Sequence, residues 1–132
     1  MKIIVGADHA GFHLKQSVVV ALREWGHDVE DVGTHTGEHI DFPLVARLVC
    51  DPLRTGEYER GIMVCGTGIG ACMAANKIPG IRAALSHDVY SAHQCVEHDD
   101  ANVLCIGAQV VGKLLALDLI RTYLAAQMSD EE

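Results

Sequence analysis

No stretch of this 132-residue chain holds the roughly 18 consecutive apolar residues that a membrane-spanning helix needs. Its apolar clusters, such as residues 18–22, are soon interrupted. The start of the chain, Met1 and Lys2 followed by residues 3–6, runs into Asp8 and His9 too early for a secretory leader. A soluble, cytoplasmic protein is the expectation. Basic residues are also scarce. Lys and Arg total 10 against 18 Asp and Glu, for a net charge of -8, and no Lys/Arg cluster occurs. The basic stripe that nucleic-acid binding requires is therefore missing. Neither a nucleic acid nor a membrane is an expected partner. No Cys-x-x-Cys pair is found among the five cysteines, and the odd number argues for free thiols over a disulfide framework. Internal repeats and linkers are absent. With 49% hydrophobic residues the chain is too apolar to be disordered, and its length suits one domain spanning residues 1–132.

What is present is an alternation of short apolar runs with helical patterns. Residues 2–6 read as a strand and 12–25 as a helix, with Phe12, Val18, Val19, Leu22 and Trp25 near helical spacing and Gly26 as its stop. Residues 27–32 alternate polar and apolar as a second strand. Residues 34–41 read as a loop and 43–53 as a helix with Pro43 in its first turn. The third strand is 61–65, followed by a glycine loop at 66–70 and a helix over 71–77. Strand 81–86, helix 88–97 with a cap near Asp88, strand 103–107 and a last helix over 111–127 complete the pattern. The order predicts an α/β fold, a Rossmann-like three-layer sandwich with a five-stranded parallel sheet and helices on both faces. Ligands of such sheets bind at the carboxyl ends of the strands, which directs attention to the residues just after each strand.

The segment from Cys65 through Gly66, Thr67, Gly68, Ile69 and Gly70 carries the most chemistry. A thiol ends a strand, a glycine loop follows and a helix opens. Backbone N–H groups and the start of the helix favour an anion there, and the same field favours a thiolate, the form in which Cys65 would be a base or nucleophile. A buried structural cysteine beside a packing turn is the simpler reading. The glycines also approximate a dinucleotide fingerprint, but with altered spacing, after the third strand, and with no room for a substrate domain. Asp8 and His9 form a substrate clamp, an acid/base pair, or a helix cap beside a surface histidine. His98 with Asp99, Asp100 and Asn102 is a second polar cluster, either a proton-transfer site or a solvated helix end. This cluster leads into a strand, so only a fold-back of its loop would bring it to the same rim as Cys65. His35 and His39, and His93-x-Cys95-x-x-His98-Asp99, lack the spacing of strong zinc sites. His13 and His27 read as surface residues.

Taken together, Gly6-Ala-Asp-His-Ala-Gly11, Asp41-Phe-Pro43, Cys65-Gly-Thr-Gly-Ile-Gly70, Ala74-Ala-Asn-Lys77, Gly80-Ile-Arg-Ala83 and His98-Asp-Asp-Ala-Asn-Val103 resemble the ribose-5-phosphate isomerase type B / galactose-6-phosphate isomerase family over nearly the whole chain. The resemblance implies aldose–ketose isomerisation of a sugar phosphate without a cofactor or metal, by a homodimer or homotetramer. It also implies roles. Cys65 resembles the proton-abstracting base, His98 the acid that opens the sugar ring, and Thr67 an aid to proton transfer. Asp8 and His9 resemble substrate-binding residues, Gly66, Gly68, Ile69 and Gly70 the loop that stabilises the enediolate, and Asn76 a supporting residue. Aldose–ketose exchange needs a base on one face of the substrate and donors in place for the developing oxyanion. One short segment offers both.

Departures from the family pattern are equally specific. Gln109 stands where relatives usually carry an arginine, Asp99 replaces a usual asparagine, and Phe42 a common tyrosine. The chain ends at Ser129-Asp-Glu-Glu132, where relatives continue with an Arg-containing segment. The resemblance implies that the missing basic groups bind phosphate, so the expectation is a loss of charge-assisted phosphate contacts, with Asp99 adding a negative charge and Phe42 lacking a hydroxyl. Two expectations follow: an altered or unphosphorylated sugar, or a phosphate held by His9, Arg82 or Lys113, across a subunit boundary if need be. A non-catalytic subunit of a hetero-oligomer and a nucleotide-binding module are the competing readings.

Overall fold

The computed structural model describes residues 1–129. Five strands and five helices alternate: β1 (Lys2–Ala7), α1 (Phe12–Glu24), β2 (Asp28–Gly33), α2 (Phe42–Arg54), β3 (Arg60–Cys65), α3 (Ile69–Ala75), β4 (Ala83–Leu85), α4 (Val89–Glu97), β5 (Val103–Gly107) and α5 (Lys113–Ala125). The sheet is parallel throughout, in the order β2-β1-β3-β5-β4. Its three central strands are the continuous apolar runs, buried on both faces, as parallel strands between two helical layers must be. The edge strand β2 keeps exposed positions.

Strand side chains alternate between the two layers. Ile3, Val5, Ile62, Val64, Leu104 and Ile106 pack with α1, α4 and α5. Ile4, Met63, Cys65, Val103 and Cys105 face the other way, against α2 and α3. The chain leaves β1 toward β2 on one side and later returns to place β3 on the other. The loops that follow β1 and β3 therefore diverge, and the crevice between them is where this class of sheet binds ligands. Among the described residues no helix is long and apolar enough to cross a membrane.

Element boundaries shift for local reasons. The first helix stops at Glu24, with Trp25 as its cap. The third begins at Ile69, two residues earlier than glycine spacing suggests, because Gly68 itself caps it. The fourth strand shrinks to three residues. The Asn76 side-chain amide donates to the Ala83 carbonyl (2.9 Å) and accepts from the Ala83 N–H (2.8 Å), and the Arg82 N–H is taken by Asn102 Oδ1 at 2.8 Å. The Asn76 amide thus covers the free edge of β4 at its first residue, and Asn102 takes the N–H just before it.

The long loop after β2 is pinned from beneath. Lys15 of α1 is fully buried. Its ammonium donates to the carbonyls of Val32 (2.9 Å) and Thr34 (2.7 Å) and pairs with Asp31 Oδ1 at 2.7 Å. A buried lysine is tolerable only when its donors are met in this way. Thr34 Oγ1 then accepts the N–H of Gly37 at 3.0 Å, so the loop reaches the rim of the sheet as an ordered arch.

Candidate active site

Cys65 is the last residue of β3, paired in register with Gly107 of β5. It is buried, and its Sγ accepts the backbone N–H of Gly68 at 3.0 Å. Gly68 has φ +80°, and a Cβ there would stand 2.6 Å from Leu85 Cδ1 and 3.0 Å from the Ile106 carbonyl carbon. Only glycine can take both that backbone and that space. The turn it makes aims its N–H back at the sulfur, while its carbonyl accepts from Cys72 N at 3.0 Å to begin α3. Thr67 Oγ1 accepts the Ile69 N–H at 3.2 Å. The loop is tied down from β5 as well: Ala108 N donates to Cys65 O (2.8 Å) and Gln109 N to Gly66 O (2.9 Å). The Gln109 side-chain amide packs on Gly66, its Oε1 3.1 Å from where a Cβ on that glycine would stand. Gly70 borders open space.

Across the crevice, Asp8 follows β1. Its Oδ1 accepts the Gly11 N–H at 3.0 Å, which orients the carboxylate by closing the turn into α1. His9 is exposed, with its ring 4.3 Å from that of His39, which the arch over Lys15 delivers to this rim. His39 Nε2 in turn lies 3.1 Å from Asp41 Oδ1.

The structure thus brings Asp8, His9, Cys65, Gly66, Thr67, Gly68, Ile69, Gly70 and Gln109 to the carboxyl rim of one sheet. It places His98 and Asp99 elsewhere. His98 is the exposed C-cap of α4, and the chain turns directly into β5: Asp100 N bonds Val96 O at 3.0 Å and Ala101 N bonds Cys95 O at 2.8 Å. No fold-back occurs. Val103 pairs with Gly61 while Gly107 pairs with Cys65, so the start of β5 lies about 13 Å along the strand from the Cys65 level, with His98 beyond it. Arg82 is on that far rim too, its guanidinium donating to Asp100 O at 2.6 Å and pairing with Asp100 Oδ2 at 3.3 Å. Asn76 serves the start of β4, as described above.

Two features escape a reading of the sequence. One is His87, whose Nε2 accepts the Gly107 N–H at 2.8 Å. The other is Cys72, partly exposed on α3 and lining a cavity of about 270 Å³ with Met73, Asn76 and Lys77. All five cysteines are free, but their thiols differ. A hydrogen bond from Cys105 is the main reason Cys72 is held down to about 6; the Leu85 backbone and the Asn76 amide reinforce it against the opposing effect of burial. That same bond, with burial, pushes Cys105 well above the ordinary thiol value, and burial pushes Cys50 up to about 11.

A family model described as Ribose/Galactose Isomerase matches residues 3–132. The chain belongs to the ribose/galactose isomerase family. It is 44% identical over 126 residues to ribose-5-phosphate isomerase B of Escherichia coli, covering 96% of this chain and 85% of that protein. It is 41% identical over 128 residues to D-erythrulose-4-phosphate isomerase of Pectobacterium atrosepticum, covering 96% and 84%. A structure of Clostridium thermocellum ribose-5-phosphate isomerase B superposes with a TM-score of 0.95 at 46% identity, covering 97% of this chain and 86% of that one. As a ribose/galactose isomerase family member the chain is an enzyme of the aldose–ketose isomerase class, on the five-stranded parallel sheet expected from its sequence.

The spread of thiol acidity yields a prediction. A thiol reacts with iodoacetamide as its thiolate, so labelling of Cys72, followed by peptide mass spectrometry, should rise through about pH 6, while Cys50 should label only toward about pH 11. Labelling of Cys50 ahead of Cys72 at neutral pH would contradict the hydrogen-bonding pattern around Cys72.

Proposed function

We propose that this enzyme interconverts the aldose and ketose forms of a small sugar phosphate, of the ribose-5-phosphate/ribulose-5-phosphate type, through a cis-enediol intermediate with Cys65 as the base. The observation that supports the reading is the 3.0 Å hydrogen bond from Gly68 N–H to Cys65 Sγ, which orients the sulfur at the carboxyl end of β3 against the glycine loop. The chemistry follows from that placement. The sugar ring opens when an acid gives a proton to the ring oxygen as the C1 hydroxyl loses its own. The Cys65 thiolate then takes the proton from C2, and the C2–H electron pair becomes the C1–C2 double bond while the carbonyl electrons move to O1. The resulting enediolate is stabilised by the N–H groups of the 66–70 loop other than those engaged by Cys65 Sγ and Thr67 Oγ1, donors already fixed in position. A proton passes between O1 and O2 with help from the Thr67 hydroxyl, and Cys65 returns its proton to C1. Asp8 holds a sugar hydroxyl, and His9 the far end of the substrate.

His98 is assigned to ring opening, yet it stands on the far rim of its own sheet. The proposal therefore requires a second copy of the chain, turned so that its His98 meets this Cys65, and hence a homodimer or homotetramer. Cys65→Ala and His98→Ala enzymes should each be nearly inactive, whereas a co-refolded mixture should regain activity through mixed sites that carry both native groups. A mixture as inactive as its components would refute the shared site.

One observation favours a second reading of the substrate. The neutral amide of Gln109 packs on Gly66 at a position where an arginine would be expected in the family. An uncharged sugar, or an anion held by His9 and Lys113, suits that rim. A panel of four- to six-carbon sugars, each with and without phosphate, separates the two. The main reading expects turnover of a phosphorylated sugar only; turnover of free sugars alone would overturn it in favour of the second.

A further inference from the structure

We propose that His87 is a positioning residue for the glycine loop, its imidazole completing the last rung of the β4–β5 ladder and so fixing Gly107, the surface on which Thr67 and Gly68 rest. The inference depends on the reading of Cys65 and its loop given above. Its basis is a substitution in the sheet's own hydrogen bonding. The Ser86 N–H donates to Cys105 O at 3.3 Å. In a parallel ladder the same residue then offers its carbonyl to the N–H two positions on in the neighbouring strand, which here is Gly107. That bond is not made. β4 ends at Leu85, and Gly107 N–H is accepted instead by His87 Nε2, at 2.8 Å. To accept there, the ring must carry its single proton on Nδ1.

The turn that holds His87 is itself locked. Ser86 Oγ meets Ser91 Oγ at 2.7 Å and donates to Asp88 O at 3.0 Å, and Asp88 caps α4 by accepting Ser91 N–H at 2.7 Å. On the other side, Gly107 touches the catalytic loop backbone to backbone. A Cβ on Gly107 would stand 2.6 Å from both the Thr67 carbonyl carbon and its oxygen, and a Cβ on Gly68 would stand 3.1 Å from Gly107 N. No side chain cushions the contact, so a displacement of the Gly107 peptide passes directly to the N–H that faces Cys65 Sγ. Donors that stabilise a developing oxyanion lose much of their effect when displaced by a fraction of an ångström.

The test uses three full-length variants. His87→Leu keeps the bulk and removes the acceptor, His87→Ala removes both, and His87→Gln returns an acceptor oxygen near the place of Nε2. With whichever sugar the native enzyme turns over, His87→Leu and His87→Ala should lower kcat about tenfold with KM changed less than about twofold, and His87→Gln should restore most of the loss. The ¹⁵N–¹H resonances of Gly107 and Gly68 should shift in His87→Leu and return toward native positions in His87→Gln. The spectra do not depend on the isomerase reading, so a loop that moves without a change in turnover would locate the failure in that reading. Equal kcat and unshifted resonances in native and His87→Leu enzymes, or equal losses in His87→Leu and His87→Gln with both folded, would overturn the proposal.

Discussion

A single hydrogen bond, from the Gly68 N–H to the Cys65 sulfur, sets conditions that much of the surrounding structure meets. It needs a residue with positive φ at the N-cap, immediately before the first turn of α3, and it needs that residue to lie against β5 without a side chain. It needs β3 to end at Cys65, in register with Gly107, so that the loop can be tied to β5 through Ala108 and Gln109. With those conditions met, a sulfur in an otherwise apolar layer between sheet and helix faces a fixed donor. A loop that reorganised on demand would spend part of its stabilisation on ordering itself; a loop already pressed against Gly107 does not.

Topology then decides what one chain can and cannot contribute. The crevice opens where the β1 and β3 loops part, which gathers Asp8, His9 and the glycine loop from distant stretches of sequence. The same parallel order sends every helix back to the opposite rim before the next strand begins. A histidine at the end of α4 is therefore kept away from the cysteine at the end of β3, and no change of rotamer spans the length of the strands between the two rims. For a member of the ribose/galactose isomerase family, a two-chain site is a consequence of that geometry once both groups are assigned to one reaction.

Much of this was legible in the sequence, for reasons that can be named. Buried parallel strands are continuous apolar runs, and glycines mark the turns, so the order of elements and the Cys65 loop could be read from neighbours in sequence. Asp88 capping α4 is likewise a local signal. What could not be read depends on partners far apart in the chain. Lys15 looks like a polar residue on an amphipathic helix, and only the packed fold shows its ammonium serving Asp31, Val32 and Thr34. The start of β4 is held by side chains of Asn76 and Asn102, which no pattern within residues 81–86 could announce. His87 bonds an amide twenty positions away, and the lowered value of Cys72 comes chiefly from Cys105 on another strand.

The central claim is that the Cys65 sulfur, aligned by Gly68, moves the proton at C2. Its most direct measurement is the exchange of substrate C2 hydrogen with deuterium from solvent, followed by NMR in native and Cys65→Ala enzymes. Because loss of a positioned base typically costs 10²–10⁴-fold, exchange in Cys65→Ala should fall by about that factor while the fold is retained. Exchange at a near-native rate in that variant would contradict the claim.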